Sequence, residues 1–158
     1  MVPAVVKEVT AGEPRAVVVE NALRKARAVA GELVLGADTA VVVGGELLGK
    51  PADEAQAEAF LRVLAGREHE VWSGIALVAR GAERTAADST TVRFRGLGSP
   101  EIAWYLATGE WRDRAGGYAI QGRGAALVEG IQGDYLNVVG LPAARLLRMA
   151  PELVGWEG

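Results

Sequence analysis

Between Leu33 and Val43 the chain is almost wholly apolar and rich in valine, yet one carboxylate, Asp38, stands in its middle. A short run of β-branched residues bounded by glycine predicts a buried strand. Gly44-Gly45, directly after it, predicts a two-residue hairpin turn. A carboxylate inside such a strand is costly unless a cation or several donors meet it. The hairpin register pairs Val43 with Glu46, Val41 with Leu48 and Thr39 with Lys50, which gathers Asp38, Thr39 and Lys50 at its open end. Neighbouring strand residues face opposite sides, so Asp38 and Lys50 converge only where the ladder loosens. Gly36 and Gly49 provide for that loosening. A polar cluster at the end of a buried hairpin has the character of a site.

Composition narrows the chemistry open to that cluster. The 158 residues contain no cysteine and one histidine, His69, which excludes disulfides, thiol catalysis, thiolate metal sites and multi-histidine cages. No Gly-x-Ser-x-Gly elbow accompanies His69. Carboxylate, lysine, arginine and backbone chemistry remain. The net charge of −3 argues against a nucleic-acid polymer as partner while leaving room for a local anion site. No apolar stretch approaches the roughly 18 residues of a membrane span, and the sequence carries no signal-peptide pattern. Membrane association is therefore not expected, and the cytoplasm is the expected location. Of the 17 basic residues only Lys7, Lys25 and Lys50 are lysines, a hint that these three mark places needing a compact point charge.

Half of the residues are apolar, enough for the core of a single domain over residues 1–158. Pro14 to Ala30 predicts a helix with an apolar stripe from Val18 to Ala30 and Lys25 on its border. Asp53 to Leu64 predicts a second helix, and Ser99-Pro100-Glu101 opens a third with serine as N-cap. Val71 to Ala79 and Arg84 to Arg95 alternate as strands around Gly81. Ala125 to Val128 and Leu136 to Val139 read as short strands, and Pro142 to Met149 as a last helix. The class is α/β, bordering on α+β, and the two-residue hairpins argue against a purely parallel sheet.

A second polar segment, Trp111-Arg112-Asp113-Arg114-Ala115-Gly116-Gly117-Tyr118-Ala119-Ile120-Gln121-Gly122-Arg123-Gly124, combines glycines, three arginines and an amide. Glycines let backbone approach a ligand closely, and Gln121 offers the donor and acceptor needed to read a base edge. The segment is neither a Walker motif nor a dinucleotide fingerprint.

Five short motifs stand in one order: Gly36-Ala37-Asp38-Thr39, Gly49-Lys50-Pro51, Leu64-Ala65-Gly66-Arg67-Glu68-His69-Glu70-Val71, Ala115 to Gly122, and Gly133-Asp134-Tyr135-Leu136-Asn137-Val138-Val139-Gly140-Leu141-Pro142. Together, from about residue 20 to about residue 148, they resemble the Maf family of nucleoside triphosphate pyrophosphatases. The resemblance implies a mixed twisted sheet flanked by helices, two-lobed with a central cleft and similar to inosine triphosphate pyrophosphatases. It implies hydrolysis of a nucleoside triphosphate to monophosphate and pyrophosphate with a divalent metal, Mg²⁺ or Mn²⁺. Asp38 matches the acidic general base or metal ligand, and Glu8 a second acidic metal-site residue. Lys50 matches a phosphate-contacting lysine, which makes Asp38 and Lys50 the catalytic pair, and Lys25 matches the lysine of the preceding helix. Thr39 and Gln121 match positions associated with substrate choice, in the manner of the branch acting on dTTP, UTP and modified pyrimidine nucleotides. The family is often dimeric, so a homodimer is expected.

The family also opens with a strand and a Ser-x-Ser-Pro-Arg-Arg loop that this sequence does not show, so an N-terminally short domain is expected. Two readings follow: a pyrophosphatase, or a catalytically impaired nucleotide-binding or regulatory module. Each residue keeps a plainer reading as well. Asp38 serves as a hydrogen-bonded structural aspartate, Lys25 as a lysine snorkelling over apolar surface, Gln121 as a loop tie, His69 as a turn bridge, and Tyr118 as a core or cleft-wall aromatic.

Overall fold

The computed structural model describes residues 6–155. Its elements run α1 (Pro14–Arg27), β1 (Leu33–Val43), β2 (Glu46–Leu48), α2 (Glu54–Leu64), β3 (Glu68–Ala79), β4 (Ala82–Phe94), α3 (Ser99–Leu106), β5 (Val128–Gln132), α4 (Tyr135–Val139) and α5 (Ala143–Met149). The strands form a five-stranded sheet in the order β2-β1-β3-β4-β5. With helices flanking the twisted sheet, the class is the expected mixed α/β. Among the described residues no helix is long and apolar enough to cross a membrane.

The chain divides into two compact units, and β1, β3 and β4 each begin in one and end in the other. Among the described residues the first comprises 6–39, Trp72–Asp88 and 136–155. Its core has two faces. On one, α1 lies against β1 and β3 so closely that a Cβ on Gly36 would stand 2.1 Å from the Ala22 carbonyl oxygen, and one on Gly74 2.4 Å from the backbone of Val18. Ala22, Ala26 and Ala76 complete this small-residue seam. On the other face, Ile75 and Ala86 pack with Leu146 of α5. Gly36 therefore serves close helix packing, not the ladder loosening expected of it.

The second unit comprises Ala40–Val71 and Ser89–Tyr135. The β1–β2 hairpin forms in the expected register, Val43↔Glu46 and Val41↔Leu48, around Gly44 and Gly45 at φ +58 and +84. The ladder stops at Leu48, so the expected Thr39–Lys50 rung is not made. The Gly49 carbonyl instead accepts from Gly116 N–H at 3.0 Å. β5 pairs antiparallel with β4.

Four local expectations are corrected. Helix α1 ends at Arg27, with Ala28 as C-cap, so Val29 and Ala30 lie beyond its stripe. The N-cap of α3 is Gly98, whose N–H donates to Glu101 Oε2 at 2.9 Å; Ser99 is already helical. Ala125 falls in a 3₁₀ turn over Arg123–Leu127, and β5 starts only at Val128. Leu136 to Val139 lies in the short helix α4, closed by Gly140 and Leu141 N–H groups on the Leu136 carbonyl at 3.2 and 3.0 Å. A brief apolar run does not reveal its period, and the closure by Gly140, at φ +115, settles it as helix.

Candidate active site

The first unit holds a charged cluster built from three short stretches of sequence. Glu13 caps α1, its carboxylate accepting from Arg15 N–H at 3.2 Å and Ala16 N–H at 2.9 Å, and Pro14 sits at the first position. Positions 21 and 25, one turn apart, share a face of this helix. On β1, residues 36 and 38 share a face. Gly36 lets α1 sit on that face, which brings Asp38 under Asn21 and Lys25. Lys25 Nζ donates to Asp38 Oδ1 and stands 2.8 Å from Glu8 Oε1. Asn21 Nδ2 donates to Asp38 Oδ2 at 3.0 Å. The carboxylate that the sequence left in search of a cation thus has Lys25, and Asp38 is only 9 % exposed. Burial pulls the Lys25 pKa down, but hydrogen bonds to Asp38 and Glu8 and their charge outweigh it, and the ammonium ends above its ordinary value.

Thr39, the next residue on β1, points away from this cluster, as strand alternation requires. Its Oγ1 lies 2.9 Å from Ser73 Oγ, and the Ser73 hydroxyl donates to the Asn137 carbonyl at 2.8 Å. Ser73 has one hydroxyl proton, so Thr39 is the donor in the first of these bonds. Ser73 is fully buried.

In the second unit the glycine-rich loop lies against the Gly49-Lys50-Pro51 segment. Gly117 faces Pro51 and Ala57, and a Cβ on Gly116 would stand 2.8 Å from Val41 Cγ2. The loop is held by Tyr105 Oη accepting from Ala119 N–H at 3.0 Å and by Glu110 Oε2 accepting from Gly124 N–H at 3.3 Å. Gln121 is exposed in the turn closed by Gly122 N–H on the Ala119 carbonyl, and Lys50 is exposed as well. Tyr118 is a core aromatic. Its hydroxyl lies 2.8 Å from His69 Nε2, and both rings pack edge-on with Phe94. Burial holds the His69 pKa down at about 4. His69 belongs to β3 and to this aromatic core, so it bridges no turn.

The structure therefore brings Glu8, Lys25 and Asp38 together in one unit and places Lys50 and the loop of Gln121 together in the other. Sequence reasoning missed Asn21 and Ser73. A signal for Asn21 was present: it is an amide within the buried stripe of α1, four residues before Lys25.

Glu8 and Asp38 suit a hard divalent cation in kind, being oxygen donors. Their convergence on one ammonium shows that both reach a single cation-sized position. Among the described residues no group of three or more His, Cys, Asp or Glu is placed to hold a metal ion. The protein thus offers two carboxylates, and the remaining donors would be water or phosphate oxygen.

The family described as Maf-like protein matches residues 1–153. The dTTP/UTP pyrophosphatase of Symbiobacterium thermophilum is 54% identical over 145 residues, 89% of this chain and 75% of that protein. The protein of the same name from Anaeromyxobacter sp. (strain Fw109-5) is 52% identical over 92% of this chain and 76% of its own length. That of Deinococcus radiodurans is 44% identical over 87% and 72%.

Proposed function

Because the chain belongs to the Maf family, we propose that it is a nucleoside triphosphate pyrophosphatase, releasing pyrophosphate and a monophosphate from dTTP, UTP and related pyrimidine nucleotides. The match over residues 1–153 supports reading the chain as one such domain. The structural observation that carries the reading is the convergence of Glu8 and Asp38 on Lys25. Paired carboxylates with a lysine are what water attack on a polyphosphate needs, since positioning and charge stabilisation do most of the work in phosphoryl transfer.

Asp38, held on one oxygen by Asn21 and on the other by Lys25, has a fixed orientation from which to take a proton from the attacking water. Lys25 keeps the two carboxylates together and offers positive charge to a phosphate. Lys50 contacts phosphate, and Thr39 and Gln121 select the base, roles that rest on the family resemblance. Mg²⁺ or Mn²⁺ held by Glu8 and Asp38 in place of the Lys25 ammonium would neutralise phosphate oxygens and acidify a bound water, with Lys25 then free to face phosphate.

The test is pyrophosphate release from a panel of natural and modified nucleoside triphosphates, with and without Mg²⁺ or Mn²⁺, beside Asp38→Asn and Gln121→Glu. The expected result is metal-dependent turnover of dTTP or UTP, abolished in Asp38→Asn and re-ranked among substrates in Gln121→Glu. Thermal stabilisation by nucleotide without turnover would instead mark a silent nucleotide-binding module.

A further inference from the structure

We infer that Asn21 is the positioning residue that assembles this site, clasping the segment that carries Glu8 to the carboxylate of Asp38. The inference rests on the pyrophosphatase reading and adds to it a residue that acts through both acidic groups. Asn21 is 2 % exposed, and its amide is fully engaged. Oδ1 accepts from Val9 N–H at 2.7 Å, while Nδ2 donates to the Val9 carbonyl and to Asp38 Oδ2, each at 3.0 Å. An amide has two donor hydrogens, and here both are used. Only one orientation of the amide satisfies all three contacts; the flipped one would aim a carbonyl at a carboxylate and an NH₂ group at an N–H.

The consequence for Glu8 is direct. Residues 6–10 belong to no helix or strand, so a carboxylate there is costly to order. Asn21 treats Val9 as a neighbouring strand would, bonding both its backbone groups and thereby fixing the residue before it. Arg24 Nη1 adds a bond to the Lys7 carbonyl at 2.9 Å. With the backbone on either side of Glu8 tied to α1, its carboxylate meets Lys25, one turn along the same helix. The second donor of Asn21 orients Asp38 toward the same ammonium. One buried amide therefore links a loop carboxylate, a strand carboxylate and a helix lysine. Supporting hydrogen bonds of this kind typically carry about 10- to 100-fold in metal affinity or activity.

The test compares Asn21→Ala, which cuts all three bonds, with Asn21→Asp, which keeps the shape but replaces the donor with a second carboxylate facing Asp38. Val17→Ala, a buried substitution on the same helix, controls for simple loss of packing. Three quantities are read: kcat and KM for dTTP, the dissociation constant of Mn²⁺ alone from water-proton relaxation, and hydrogen-exchange protection of the Val9 amide. The expected result in both Asn21 variants is kcat lower by about 10- to 100-fold with KM within about threefold, and in Asn21→Ala Mn²⁺ binding about tenfold weaker. Val9 protection is lost in Asn21→Ala. All three readouts stay at the wild-type level in Val17→Ala. If Asn21→Ala does not fold, Asn21→Asp decides. Wild-type turnover with kcat and Mn²⁺ binding unchanged within twofold in the folded Asn21 variants overturns the role of Asn21 alone. Failure of the wild-type protein to release pyrophosphate overturns the pyrophosphatase reading and this role with it.

Discussion

Substituting Gly36 by alanine tests the packing argument at its narrowest point. The added Cβ would stand 2.1 Å from the Ala22 carbonyl oxygen and 2.8 Å from Ala26 N, against 3.4 Å or more in ordinary contact. Both neighbours are helix backbone, so no side chain can turn aside, and α1 must retreat by about 1 Å. Overpacking of this kind costs about 1–3 kcal/mol. The retreat also stretches the 3.0 Å Asn21–Asp38 bond to about 4 Å, beyond hydrogen-bond range. Losing hydrogen bonds to a charged group adds about 1.5–3 kcal/mol. Gly36→Ala should therefore lower stability by about 2.5–6 kcal/mol, a fall in Tm of at least about 5 °C for a chain of this size. If Asp38 acts as proposed, its displacement by about 1 Å relative to Asn21 and Lys25 should lower kcat by about 100-fold. Urea unfolding and pyrophosphate release read the two effects. Gly130→Ala is the control, since a Cβ there meets nothing within 4 Å. A loss below about 1 kcal/mol in Gly36→Ala, with kcat within twofold of wild type, would refute the claim that helix–strand contact sets the site.

Two further outcomes follow from buried polar groups. The His69 pKa falls from 6.5 to about 4 on burial, so the native state binds fewer protons than the unfolded chain below pH 6.5, and stability present above that pH is lost as pH falls toward 4. The shift corresponds to about 3 kcal/mol, and urea unfolding at pH 7 and pH 4 should show a loss smaller by that order in His69→Gln; equal losses would contradict it. Ser73→Ala removes the hydroxyl between Thr39 and the Asn137 carbonyl and should cost about 1–3 kcal/mol. Ser73→Thr, which keeps a hydroxyl, should recover part of it in the same denaturation assay, and no difference between the two would assign the cost to packing instead.

Local signals carried much of the architecture. Gly44-Gly45 announced its hairpin because both residues must adopt positive φ, which glycine alone does freely. The valine-rich run announced β1 through its branched side chains, and Pro14 and Asp53 marked the starts of α1 and α2. Leu136 to Val139 did not announce its helix, because four residues are too few to show a period. Ser99 looked like a cap by residue type, but Gly98 held the position by backbone geometry.

For the site, the sequence by itself determined that Asp38 needed a partner, since a carboxylate in a buried strand cannot stand alone. Family resemblance also pointed to Glu8 and Lys25, though not to Asn21. Only the tertiary structure decided how they meet. The hairpin register pointed Thr39 toward Lys50, whereas the ladder ends at Leu48 and the Gly49 carbonyl turns to Gly116. Contact between α1 and β1 depends on Gly36 and Gly74 lying under the same helix, a coincidence of two residues 38 positions apart that no local pattern encodes. The roles of Asn21 and Ser73 were hidden for the same reason: each bonds groups distant in sequence, and the chemistry of an amide or hydroxyl is set by what folding brings to it.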